Sequence, residues 1–222
     1  LINPAIFISV LGFIYGEIST APPEVFVPHL TVGLIAWTLI NGTVTGSTTV
    51  FLRNRPQIMQ GAQSLDSIVL VDFTTTILVV VHQLPIIFIV FYIYDVSLSW
   101  VAFQGIVGLV LLILIGVFAS FVFGILGTRF RDLSEGFNAI MRIAFLATPI
   151  IWMPGSGIRE TTINSPLMFN PFYHYLEIIR APLLGTSPGA ISWCVALGTA
   201  LISFISFLAI RKNLSRMIPF WL

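Results

Sequence analysis

The sequence predicts an all-α integral membrane protein of six transmembrane helices, and three observations carry that prediction. Of 222 residues, 57% are hydrophobic and only 9% are charged, against about 25% charged in a soluble domain. Mean hydropathy is +1.00. Apolar stretches of helical length alternate with short polar connectors, and basic residues collect on alternate connectors. Six spans of about 20 residues use roughly 120 residues, which leaves no room for a large soluble catalytic domain. A net charge of +1 with no basic run excludes a conventional nucleic-acid reader.

The first apolar stretch runs from Pro4 to Tyr15, with Pro4 suited to a first helical turn. It is too short to cross a bilayer, so its span is expected to begin before Leu1, the first residue of the sequence. Ser19-Thr-Ala-Pro-Pro-Glu24 breaks it. The second span covers about Val25 to Val50, and Leu52-Arg-Asn-Arg-Pro-Gln57 follows as a basic, broken connector. The third, about Ile68 to Tyr94, contains Pro85, which removes a backbone donor and is expected to kink the helix. The fourth, Trp100 to about Phe123, has no charge before Thr128. Arg129-Phe-Arg-Asp-Leu-Ser-Glu135 ends it, and Asp132 with Glu135 reads as a capping box for the fifth span, Gly136 to about Trp152. In the long segment that follows, Asn170 is a cap, Pro171 a first-turn proline and Gly185 a stop. The last span runs from Pro188 to about Ile210.

Helix Pro171–Leu184 is expected to be amphipathic. Phe172, Tyr175, Leu176, Ile179 and Leu183 share one face, while His174, Glu177 and Arg180 occupy the other. Alone, that pattern describes an interfacial helix on the outer leaflet. Orientation follows from basic residues on the connectors. Arg53, Arg55, Arg129, Arg131, Arg211, Lys212 and Arg216 fall on one side, and Arg159 and Arg180 on the other. Seven against two places both termini in the cytoplasm.

Chemistry is sparse. Lys212 is the single lysine and no Gly-Lys-Ser/Thr occurs, so a P-loop is excluded. Cys194 is the single cysteine, and His29, His82 and His174 form no metal-binding motif. Within the spans, Asp72 and Arg142 are close enough to the ends to reach the cytoplasmic interface. His82-Gln83 lies deeper and suits a polar contact beside Pro85. Gly12-xxx-Gly16 and Gly42-xxx-Gly46 suit close helix packing. Nineteen Phe, five Trp and five Tyr outnumber the ten basic and nine acidic residues. Most must face lipid or other helices, but a subset lining a conduit would stack on the apolar faces of sugar rings.

Arg129-Phe-Arg-Asp132, the span ending Ala147-Thr-Pro-Ile-Ile-Trp152, and Asn170-Pro-Phe-Tyr-His-Tyr-Leu-Glu-Ile-Ile-Arg-Ala-Pro-Leu-Leu-Gly185 together carry a resemblance. In this series, and in span order, the chain resembles the type-2 ABC transporter permeases that export polysaccharides, the O-antigen branch most closely. The resemblance implies a single six-span permease domain in a bacterial inner membrane, pairing as a homodimer with two copies of a cytoplasmic P-loop ATPase. ATP and Mg would lie on that partner, with no cofactor on this chain. It further implies a lipid-linked polysaccharide as substrate, a cytoplasmic amphipathic segment before residue 1, and a gate region over residues 153–187. Coupling to the ATPase is expected over Leu52–Asp66, through Arg53, Arg55, Gln57, Ile58, Met59 and Gln60, with Arg129, Arg131 and Asp132 on the neighbouring connector. The gate would use Phe172, Tyr175, Glu177 and Arg180, and Phe7, Phe13 and Trp152 would line the conduit. Alternatives are an integral-membrane enzyme acting on a lipid-linked sugar, a channel or scaffold subunit, or a permease for teichoic acid or a drug.

Overall fold

A computed structural model describes residues 2–18, 21–61, 63–153, 166–214 and 217–221. Among these residues every regular element is helical. Helix α1 is Ile2–Ile18; α2, Pro23–Asn41, runs into a π-helical segment, Gly42–Gly46. Two short helices follow, α3 (Val50–Arg53) and α4 (Arg55–Met59), then the long α5 (Leu65–Ile93) and α6 (Ala102–Arg129). The order finishes with α7 (Leu133–Ala147), a 3-10 turn at Pro166–Phe169, α8 (Pro171–Leu183), α9 (Ala190–Leu214) and α10 (Ile218–Trp221).

Among the described residues, four stretches are long and apolar enough to cross a membrane: Pro23–Gly46, Leu65–Ile93, Ala102–Arg129 and Ala190–Lys212. The expected first and fifth spans do not reach that length among the described residues. Helix α7 has 15 residues, which gives about 22 Å of rise against a hydrocarbon core of about 30 Å. It stops at Ala147, short of the expected Trp152, because Pro149 has no N–H and disfavours helical backbone in Thr148. The chain then turns, and the Trp152 indole donates back to the Leu146 carbonyl at 3.1 Å.

The chain divides into two compact units. The first comprises residues 1–38, 80–110 and 144–196. Its interior contains Leu30, Ile35, Ile150, Leu176 and Ile178, and Trp37 packs its ring against Phe145 and Phe172 with centroids 5.7 and 5.6 Å away. The second comprises residues 39–79, 111–143 and 197–222. Its core is Val50, Phe51, Ile68, Val69, Phe121, Ile125 and Ile218, with Phe121 edge-on to both Phe51 and Phe207. Eight Lys/Arg and four Asp/Glu belong to this second unit, two Lys/Arg and five Asp/Glu to the first.

Local chemistry accounts for the element ends. Asn170 caps α8 by accepting the Phe172 N–H at 3.0 Å, with Pro171 in the first turn. Gly185, at φ +87°, takes the left-handed conformation just beyond the helix that a side chain would resist. Helix α7 opens directly after Asp132, whose carbonyl accepts the Gly136 N–H at 3.1 Å. The π segment is held by a hydroxyl ladder. Thr43 and Thr45 donate to carbonyls four residues back, and Thr48 to one three residues back. These bonds satisfy carbonyls that the widened turn displaces from the α-helical ladder.

Candidate functional site

Helix α8 is where the structure departs most from the sequence pattern. Its apolar face is buried within the protein at Tyr175, Leu176 and Ile179. The expected polar face is buried as well: His174 is 1% exposed and Arg180 3%. The helix is therefore an internal element of the first unit, not an interfacial one, and its polar side chains are satisfied inside the protein.

Arg180 is the centre of that arrangement. Its Nη1 donates to the Pro149 carbonyl at 2.6 Å and to Nε2 of His29 at 3.1 Å. Its Nη2 donates to Oε2 of Glu177 at 3.2 Å. A guanidinium has no acceptor, so Nε2 of His29 must accept and the ring proton sits on Nδ1. Burial pushes the Arg180 guanidinium below its usual range, and the Glu177 carboxylate opposes that shift. Arg180 thus ties α8 to α2 and to the turn after α7. A second tie runs through His174. Its Nε2 donates to the Met168 carbonyl at 3.0 Å, which leaves Nδ1 to accept from the Ser192 hydroxyl at 2.9 Å. A third is Asn170, whose Nδ2 donates to Oγ1 of Thr148 at 2.9 Å. The backbone of α8 also lies close against α6, where a Cβ at Gly108 would sit 2.5 Å from the Ile178 carbonyl oxygen.

The expected coupling residues divide by environment. Arg53 pairs with Asp72 at 2.8 Å and donates to the Gly46 carbonyl at 2.9 Å, so it braces the π segment against α5. Ile58, expected as an exposed knob with Met59, instead packs against the core of the second unit. Arg55, Gln57 and Gln60 are exposed, and Met59 is 58% exposed. Arg131 and Asp132 are exposed on their connector, and Arg129 lies over the rings of Phe130 and Trp221.

The expected conduit aromatics have different surroundings within the chain. Phe13 lines a half-open groove of about 430 Å³ with Ala5, Ser9 and Gly12 of α1, Val27 of α2, Ile86, Ile89, Val90 and Ile93 of α5, and Tyr94 just beyond it. Phe7 is exposed on α1 outside that lining, and Trp152 is turned back onto Leu146. Phe172 packs edge-on to Trp37 and Tyr175. Of the expected gate region, residues 154–165 lie outside the described residues, as do Arg159 and Arg216 of the charge count.

Sequence reasoning missed His29, Pro149 and Ser192 as partners of α8. The available signal was a histidine inside an otherwise apolar span, the same signal that drew attention to His82. Comparison with protein-family models and with curated proteins finds no match to this chain.

Proposed function

We propose that this chain is the permease subunit of an ABC exporter. It would carry a lipid-linked polysaccharide of the O-antigen kind from the cytoplasmic to the outer side of a bacterial inner membrane. In this reading the chain pairs with a second copy, and two copies of a separate P-loop ATPase supply ATP hydrolysis. Six crossings with both termini cytoplasmic follow if α1 and α7 complete the four longer spans. The excess of eight Lys/Arg over four Asp/Glu in the second unit then supports a cytoplasmic position for the α4 connector, the α6–α7 connector and the α9–α10 end.

The observation that carries the proposal is α4. A helix of five residues lies outside the spans, with Arg55, Gln57 and Met59 exposed and Ile58 partly buried against the core behind them. An exposed methionine flanked by hydrogen-bonding and cationic groups suits a cleft on a partner. Arg53, bonded to Gly46 and Asp72, supplies a rigid link from that surface to the π segment of the second span. Transport also agrees with the state of the buried polar centre. His29 and Glu177 are engaged by Arg180, and His29 is too enclosed to meet a substrate as an acid or base.

The test uses Arg55→Glu with Met59→Asp and leaves Arg53 intact, since reversing Arg53 would also break the Asp72 pair. The tagged chain is purified from its native membranes and stoichiometric partners are identified by mass spectrometry. A P-loop ATPase is expected with the wild type and is expected to be lost from the variant, which still inserts. Retention of the ATPase by the variant, or no ATPase with either protein, contradicts the proposal.

A further inference from the structure

At the end of α6 the structure places Arg129 over two aromatic rings, with no counter-ion among the described residues. Arg129 lies over the Trp221 ring at 5.3 Å and over the Phe130 ring at 5.7 Å, both within cation–π reach. Trp221 is itself fixed, since α10 inserts Ile218 into the core of the second unit and Trp221 packs against the same core. Among the described residues, no carboxylate pairs with Arg129 and no acceptor takes its N–H groups, whereas Arg53 and Arg211 pair with Asp72 and Asp66. The rings steady the guanidinium while its edge keeps the planar donor fork that a phosphate accepts in bidentate fashion.

The position selects the ligand. Helix α6 has 28 residues, about 42 Å of rise, and carries no charge before Arg129. A span of that length exceeds the hydrocarbon core of about 30 Å, so its charged end falls at the level of lipid headgroups. Of the two rings beside Arg129, Phe130 is 56% exposed. Asp132 follows on the connector and Glu135 in the first turn of α7, so an extended acidic protein surface would have two carboxylates to pass that a single phosphate need not. We propose that Arg129, framed by Phe130 and Trp221 and assisted by exposed Arg131, binds the phosphate of an anionic phospholipid.

The test titrates the purified full-length chain with phosphatidylglycerol or phosphatidylcholine and counts bound lipid by native mass spectrometry. Phosphatidylglycerol is expected to bind preferentially. Arg129→Gln is expected to weaken that binding about fivefold, the loss of one cation near an anionic surface. Arg129→Lys should recover only part of it, because an ammonium lacks the fork, and Lys212→Gln should leave it unchanged. Each variant is checked for monodisperse elution. Equal phosphatidylglycerol binding by wild type and Arg129→Gln overturns the proposal. So does an equal loss in Lys212→Gln, which would mean diffuse charge attraction. Displacement of the lipid by inorganic phosphate alone also overturns it, assigning the site to soluble phosphate. A variant that binds lipid normally but loses an acidic protein partner overturns it in favour of protein docking.

Discussion

A guanidinium buried in a membrane protein must place its donors on internal acceptors, and Arg180 does so through His29, Pro149 and Glu177. Removing it takes a donor from the Pro149 carbonyl and from the His29 ring nitrogen and leaves a part-buried carboxylate without its cation. Arg180→Met is therefore expected to destabilise the protein by about 3–5 kcal/mol, the usual result of breaking a buried pair from one side. Arg180→Lys, which keeps the charge but not the fork, should fall between the two. Thermal unfolding in detergent micelles, followed by tryptophan fluorescence, measures both. A methionine variant as stable as wild type would show that Arg180 is no tie. The sequence identifies Arg180 as one of α8's few polar residues. It does not identify the partners, because His29 is 151 positions away and Pro149 31. Helical periodicity assigns a side chain to a face; it says nothing of what covers that face.

Elements were legible where their ends depend on neighbouring residues. Asn170, Pro171 and Gly185 bound α8 within one residue of the expected limits, since a cap, a fixed φ and a left-handed position are local facts. The π segment was not legible. Its glycines and threonines read as a packing motif, and that holds for Gly42, where a Cβ would meet Thr76 at 2.8 Å, but not for Gly46, which has open space. The widened turn depends on hydroxyl bonds to carbonyls, which spacing alone does not reveal. Seating α8 on α6 yields the prediction at this scale. Gly108→Ala forces a methyl toward the Ile178 carbonyl and is expected to cost about 1–3 kcal/mol as overpacking. Gly198→Ala, with nothing within 4 Å, should be neutral or stabilising, since alanine favours a helix over glycine by about 1 kcal/mol. The same unfolding assay compares them, and equal behaviour of the two variants would contradict close α6–α8 packing.

At the scale of the molecule, composition was sufficient for the class, because a chain with 9% charged residues has too few to cover a water-exposed surface. The number of crossings was less legible. Among the described residues four stretches meet the length requirement, while α7 is cut short by Pro149, a signal present in Ala147-Thr-Pro but read as lying within a longer span. The burial of His174 and Arg180 escaped the pattern because an amphipathic helix looks alike whether its polar face meets water or a set of internal partners. The proposed exporter joins an exposed α4 surface, Arg53 bracing the π segment, and α8 held by Arg180. Within the first unit, movement of α8 must carry His29 and Pro149 with it or break their bonds to Arg180. ATP-driven passage of a glycan through this chain, as proposed, is measured by reconstituting the permease with its co-purified ATPase in proteoliposomes and following protection of a lipid-linked polysaccharide from an external glycosidase. ATP-dependent protection is expected, and it should disappear with Arg55→Glu and Met59→Asp. Protection that needs no ATP, or that the α4 variant leaves unchanged, would contradict it.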